Sequence, residues 1–235
     1  MAATALSQHQ HIFLHTMLAN RVMRYDIAKQ MHVEIVNDGN VKPSQQRAAG
    51  NDDNREFDKF WSEVARALGY LDLDLRRVKW PEDNQLYLGV INKTGGDTAK
   101  LATKLTPEQI ALFRVVVDEI LKDDRNAEQG VDVMSALNVT QFWSQAAAGG
   151  GGAGGSQLPN GTQAALTQEQ QESVAKMSKV DKEQTLRLLC VDGWLTQGDD
   201  DAGKLRLGVR AFLELRDFLL SAAPPQSRAR WEKML

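Results

Sequence analysis

The chain has 235 residues, 42% hydrophobic and 25% charged, a composition typical of a folded protein rather than a disordered one. Its 28 basic and 31 acidic residues give a formal net charge of −3, which excludes a strongly basic coat protein for nucleic acid but allows a local basic patch. The single cysteine, Cys190, excludes an intrachain disulfide, and no apolar run approaches the roughly 20 residues of a membrane helix.

A first ordered unit is predicted over residues 8–95. Apolar periodicity predicts one helix that begins near Gln8 and a shorter second helix over residues 22–31. A third helix, with Asn54 as its N-cap, carries five apolar residues on one face: Phe57, Phe60, Trp61, Val64 and Leu68. Alternating leucines on both sides of the polar turn at residues 80–84 then predict a β-hairpin.

A second unit is predicted over residues 98–222. Thr106-Pro107-Glu108-Gln109 is a capping box with proline at the first helical position, which predicts a helix start. Seven of the 18 glycines lie in residues 146–163, which therefore read as a flexible loop. A further helix capped by Asp181, a hairpin around the turn at residues 198–203 and a closing helix follow.

The order of elements in both units, helices followed by a β-hairpin, is typical of a winged helix. The sequence therefore predicts a mostly α fold with short β-hairpins, arranged as tandem winged-helix domains. Residues 223–235 are assigned to a tail.

Candidate metal and nucleophile residues are sparse. His11 and His15 would share a helix face, as zinc ligands can, but no HExxH pattern surrounds them, and surface imidazoles are the preferred interpretation. Cys190 follows Leu186 and Leu189 on an apolar helix face, where a structural thiol is expected rather than a nucleophile. We therefore predict no catalytic residues, no metal ligands and no cofactor within this chain.

Two basic patches are candidates for nucleic-acid contact. Arg76, Arg77 and Lys79 lie on the first predicted hairpin. Lys204, Arg206 and Arg210 lie on the second hairpin and at the start of the closing helix. The residues 199–201, all aspartate, would repel a phosphate backbone at the tip of that second hairpin, so ordinary solvated charge is the preferred interpretation.

Several segments resemble one family, non-SMC element one, the RING-bearing subunit of the SMC five–six chromosome-maintenance complex. The resemblance spans most of residues 8–220 outside the loops. It is carried by five segments: residues 11–18 (HIFLHTML), 87–92 (YLGVIN), 100–103 (KLAT) leading into the helix of residues 108–120, 193–195 (GWL) and 205–215 (LRLGVRAFLEL).

The resemblance implies a nuclear protein whose winged helices pack on a MAGE-family subunit, with a kleisin subunit joining them. It also implies a C-terminal RING that binds zinc, engages an E2 enzyme and supports ubiquitin ligation. One cysteine and four histidines cannot supply the roughly eight ligands of a RING. Either the RING lies beyond Leu235 or it has been lost, and we expect zinc and E2 binding only in a RING beyond Leu235.

The first functional hypothesis is a non-enzymatic scaffold of a DNA-repair complex, with no membrane association. Its candidate partner contacts are Phe13 and Met17 on the first helix, and Trp194 and Leu195 at the second hairpin. The alternative is a free-standing winged-helix DNA-binding protein that uses Lys204, Arg206 and Arg210. A ubiquitin ligase is the third hypothesis, and it depends on residues beyond this chain.

Overall fold

The computed structural model describes residues 6–37, 51–93, 104–137, 168–198 and 203–235. These residues are mostly helical with short antiparallel strand pairs, which confirms the predicted fold class. The chain divides into two compact units, one formed by Met1–Gly95 with Met234–Leu235 and the other by Gly96–Lys233. None of the helices in the described ranges is long and apolar enough to cross a membrane.

The described residues of the first unit form three α-helices, a short 3-10 helix at Gly69–Leu71 and a three-stranded antiparallel sheet in the order β1-β3-β2. Its elements are α1 (Gln8–Asn20), β1 (Val22–Arg24), α2 (Tyr25–Val36), α3 (Asn51–Leu68), β2 (Leu73–Lys79) and β3 (Leu86–Asn92). The β2–β3 hairpin is the one that the alternating leucines predict. The helix predicted over residues 22–31 is wrong at its start, because residues 22–24 pair with β3 and place Met23 opposite Leu88. The predicted N-cap Asn54 is also wrong, since α3 begins at Asn51.

The core of the first unit forms between α1, α3 and the inner face of the sheet. Phe57, Val64 and Leu68 are buried on one face of α3, as their spacing predicts. They pack with Leu75 of β2 and Leu88 of β3 in a single apolar cluster. Each such side chain contributes about 1.5–3 kcal/mol when fully buried, so this cluster fixes α3 against the sheet.

The described residues of the second unit form all the remaining helices and a two-stranded sheet. Its elements are α4 (Pro107–Ile120), α5 (Asp124–Gln129), α6 (Gln168–Lys176), α7 (Lys179–Val191), β4 (Leu195–Gln197), β5 (Leu205–Leu207), α8 (Val209–Glu214), α9 (Arg216–Ala222) and α10 (Pro225–Trp231), and residues 133–137 are helical as well. The β4–β5 hairpin matches the predicted one. Val131 forms an antiparallel bridge with Leu205 on the other side of β5. The predicted glycine-rich loop at residues 146–163 and the aspartate run at 199–201 both lie outside the described residues.

Side-chain caps set the starts of the main helices in this unit. Thr106 and Gln109 form the predicted capping box at α4. At α7 the predicted cap, Asp181, is wrong: Ser178 is the N-cap, and its hydroxyl oxygen accepts a hydrogen bond from the Asp181 backbone N–H at 3.1 Å. The Asp181 carboxylate in turn accepts from the Ser178 hydroxyl at 2.6 Å. Asp181 therefore lies three residues after the N-cap and supports Ser178, instead of being the N-cap itself.

The segment assigned to a tail, residues 223–235, carries helix α10. Asp124 Oδ1 accepts hydrogen bonds from the backbone N–H of Ser227 at 2.8 Å and from its hydroxyl at 2.9 Å. Trp231 is buried edge-on against Phe212, with ring centroids 5.1 Å apart. Asp124 therefore satisfies a backbone donor at the helix start that Pro224, as N-cap, cannot satisfy.

Candidate interaction surfaces

The sequence-predicted contacts Phe13 and Met17 do not lie on a surface. Both side chains are 0% exposed, and Phe13 packs edge-on against Phe57 and Phe60 with centroids 5.9 and 5.3 Å away. The apolar face of α1 is the face that the core requires, so no face of these two residues is left for a partner. In this fold their role is to support α3 from behind.

Trp194 and Leu195 are buried in the same way, each 1% exposed. The Trp194 ring lies 5.7 Å from the Phe113 ring of α4. The Arg210 guanidinium covers it at 4.2 Å from the ring centroid. The structure thus corrects the prediction that this pair contacts a partner, because both side chains close the core of the second unit beneath β4.

Arg210, a predicted DNA contact, is a buried structural residue with a relative exposure of 8%. Its Nε donates to Glu214 Oε1 at 2.6 Å, and its Nη1 lies 4.0 Å from Asp192 Oδ2. These two carboxylates and the Trp194 ring surround the guanidinium within the protein. A phosphate would have to displace both acids to reach it, so the prediction for Arg210 is wrong.

Lys204 directly precedes β5 and Arg206 is its central residue, and both side chains are partly exposed. Arg206 Nε donates to the backbone carbonyl of Gln129 at 3.2 Å, which ties the hairpin to the end of α5. The three predicted cations of the second hairpin therefore do not converge on one exposed patch. Lys204 and Arg206 remain predictions as nucleic-acid contacts.

An apolar stripe lies on the outer face of α7. Val180 and Val191 are 61% and 83% exposed, and Leu188 is also exposed. The stripe is completed by two exposed polar residues, Gln184 and Arg187. Val180, Gln184, Arg187 and Val191 are spaced i, i+4, i+7 and i+11, so they share the side of the helix that faces away from buried Leu186 and Leu189.

Sequence reasoning missed this stripe because it counted the charges of α7 rather than the apolar residues left outside its core face. The signal was present: two valines eleven residues apart fall on one side of the helix, while the core residues fall on the other. Exposed apolar residues grouped on one helix face are typical of a protein-contact surface. The outer face of α7 is therefore the candidate partner surface of the second unit.

A polar cluster connects α3 to the hairpin of the first unit. Asp58 Oδ1 accepts hydrogen bonds from the Tyr25 hydroxyl at 2.7 Å and from Trp61 Nε1 at 3.0 Å. The Arg77 guanidinium lies 3.5 Å from the same oxygen, 5.7 Å from the Tyr25 ring centroid and 6.0 Å from that of Trp61. Burial alone would raise the pKa of Asp58, but these donors and the positive charge of Arg77 lower it below its usual value.

Cys190 has the properties of a structural thiol. It is half-buried, and burial raises the pKa of its thiol above the ordinary value, which is the opposite of what a nucleophile needs. Within the described ranges no group of three or more His, Cys, Asp or Glu side chains is placed to hold a metal ion.

The family described as Nse1 non-SMC component of SMC5-6 complex matches residues 10–215. The chain belongs to the Nse1 family. This confirms the resemblance that the sequence segments indicate. Among solved structures, the chain is similar to one in a structure titled "Nse1-Nse3-Nse4 complex", with a TM-score of 0.63 and 18% sequence identity. That similarity covers 98% of this chain and 78% of the other, and at this identity it shows the shared fold. A search of curated proteins gives no match.

Proposed function

We propose that this chain is a non-catalytic scaffold subunit of an SMC5-6 complex in the nucleus. In this role it holds a MAGE-family subunit of the Nse3 type, and a kleisin of the Nse4 type joins the two. The observation that carries the proposal is membership of the Nse1 family over residues 10–215. The fold shared with a chain of an Nse1-Nse3-Nse4 complex supports it.

Both units are winged helices in this proposal. Their strand order supports the assignment: β1 pairs with β3 in the first unit, and Val131 occupies the same place beside β5 in the second. In each unit a hairpin follows the helix that packs beneath it, α3 before β2 and α7 before β4. By this correspondence α3 and α7 are the helices that winged-helix proteins present to a ligand.

The MAGE-family subunit docks on the apolar stripe of α7. A DNA-reading helix would present polar and basic side chains, whereas α7 presents Val180, Leu188 and Val191. Covering such side chains with a partner lowers the free energy of the complex. The charge of the neighbouring Arg187 sets the register of the two proteins. The alternative of a free-standing DNA-binding protein loses support at this hairpin, because Arg210 is buried.

Co-expression with the MAGE-family subunit of the same organism tests this proposal. We expect a stable complex that the double variant Val180→Ser and Val191→Ser weakens by about 30-fold, since the two exposed side chains contribute about 2 kcal/mol when covered. The matched control is Ile27→Ser with Val36→Ser, which removes two exposed apolar side chains from α2 and leaves affinity unchanged. Absence of a complex with the unaltered chain would reject the scaffold role.

The ubiquitin-ligase activity of the intact protein belongs to a RING beyond Leu235 in this proposal, as do its zinc and E2 binding. The family membership supports this assignment. A ligase assay of the complete protein, with and without a zinc chelator, tests it. Activity that survives chelation would contradict a RING mechanism.

A further inference from the structure

The outer face of α3 carries a stripe of positive charge. Arg55, Lys59 and Arg66 are exposed, and Ser62 lies between them on the same face. At 100° per residue these four positions fall within about 60° of one another, opposite the buried face of Phe57, Val64 and Leu68. None of the three cations forms an ion pair with any residue in the described part of the chain.

The acidic side chains that the structure describes on α3 do not cancel this charge. Asp58 accepts hydrogen bonds from Tyr25 and Trp61 and lies beside Arg77, and Glu63 Oε2 accepts a hydrogen bond from Gln10 Nε2 at 2.9 Å. Both carboxylates are thereby engaged by the protein. Glu56 lies one residue from Arg55 but about 100° away around the helix, at the margin of the stripe.

Arg77, on the hairpin, lies beside this basic face and is paired with Asp58. It occupies β2, and its guanidinium reaches Asp58, the residue that directly precedes Lys59. The rings of Tyr25 and Trp61 and the Asp58 carboxylate hold the guanidinium, whose side chain stays 42% exposed. A cation held in this way loses little conformational entropy when it binds an anion.

The corresponding face of α7 has a different chemistry. The positions that carry Arg55, Lys59, Ser62 and Arg66 on α3 carry Val180, Gln184, Arg187 and Val191 on α7, at the same spacing relative to the core residues. This face therefore carries three cations on α3 and one cation on α7. The same supersecondary unit therefore presents a basic face in the first unit and an apolar face in the second.

We propose that the basic face of the first unit, Arg55, Lys59 and Arg66 with Arg77 beside them, binds the phosphate backbone of duplex DNA. The stripe runs about 16 Å along the axis of α3, a length over which one DNA strand presents several phosphates. The major groove of B-DNA admits an α-helix, whereas the major groove of duplex RNA is too narrow for one. The cations contact phosphates, so binding is independent of base sequence.

Fluorescence anisotropy of the full chain with a labelled DNA duplex, measured between about 50 and 200 mM salt, tests this proposal. The triple variant Arg55→Gln, Lys59→Gln, Arg66→Gln is expected to bind at least about tenfold more weakly at the lower salt concentration. It should also reduce the slope of log affinity against log salt by about 3, one for each lost phosphate contact. Duplex RNA of the same length is expected to compete poorly.

The matched control is Arg125→Gln, Lys176→Gln, Lys179→Gln, which removes three exposed cations from α5, α6 and α7 of the second unit. Its affinity and salt slope should stay within about twofold of the unaltered chain. Equal losses in both variants would show a dependence on net charge alone and would overturn the proposal. So would undetectable binding by the unaltered chain, or equal competition by duplex RNA.

Lysine footprinting provides a second readout that requires no substitution. We expect DNA to protect Lys59 from acetylation and to leave Lys179 and Lys204 reactive. Protection of Lys204 without protection of Lys59 would move the contact to the second hairpin and reject the face on α3. Partner binding is separate, because the triple variant keeps the α7 stripe intact and should still co-purify with the MAGE-family subunit.

Discussion

His32 is a buried imidazole in the core of the first unit. Its ring lies 4.3 Å from the Phe60 ring and 5.4 Å from the Phe57 ring, measured between centroids. Burial lowers the pKa of His32 below its ordinary 6.5, and although Glu56 acts in the opposite direction, the lowering prevails. The neutral form of the side chain is therefore the one that this core accommodates.

We expect the first unit to lose stability as the pH falls below 6.5, the ordinary pKa of histidine in the unfolded chain. Between that pH and the lower folded-state pKa, the unfolded chain binds a proton that the folded chain does not, so the free energy of unfolding decreases. Above pH 6.5 the imidazole is neutral in both the folded and the unfolded chain, so its burial contributes fully to the free energy of unfolding. An NMR titration of the imidazole should give a midpoint below 6.5, and a midpoint at or above 6.5 would contradict the burial argument.

Tyr25 tests the polar cluster at the edge of α3. Burial, reinforced by the hydrogen bond to Asp58 and by its charge, raises the pKa of Tyr25 to about 12. In Asp58→Ala we expect the midpoint to move down but to stay above 10, because burial persists. An NMR titration that resolves the individual tyrosine rings measures this, with Tyr87 as an internal control, since burial and Asp83 raise its pKa to about 12 as well. An unchanged Tyr25 midpoint would show that Asp58 does not act on it.

At the scale of elements, Gly208 fixes the junction between β5 and α8. A Cβ built on Gly208 would overlap the Gly193 carbonyl oxygen and would lie 2.9 Å from that of Leu195. We expect Gly208→Ala to cost about 1–3 kcal/mol of unfolding free energy, as overpacking against backbone does. Gly69→Ala, where nothing lies within 4 Å of the added Cβ, is the control and should be nearly neutral in thermal unfolding. Equal melting shifts in the two variants would refute the junction's role.

The elements that the sequence predicts correctly are those whose signals are local. Both hairpins follow from alternation around polar turns, and the α4 start follows from Thr106 and Gln109. Strand β1 escapes prediction because three residues are too short to show a period, and its pairing with β3 is a long-range contact. The sequence-based prediction of the partner surfaces is wrong for a different reason. Phe13 and Trp194 lie on apolar faces that are buried in the core. A partner surface is formed by apolar residues left outside those faces, as on α7.

At the scale of the whole molecule, one chain carries two small units, and the outer faces of their helices α3 and α7 differ in chemistry. The Nse1 family membership assigns the chain to an SMC5-6 complex. Within that complex we propose that α3 binds DNA and α7 binds the protein partner. Covering an apolar face with protein stabilises a protein complex. Neutralising phosphates with a basic face stabilises a DNA complex. In this proposal the chain links a protein partner to DNA.

Hydrogen–deuterium exchange of the full chain, with and without the MAGE-family subunit proposed as its partner, tests this division most directly. We predict slowed amide exchange over α7 (Lys179–Val191) when the partner binds, and unchanged exchange over α3 (Asn51–Leu68). Protection that appears on α3 and is absent from α7 would contradict the division.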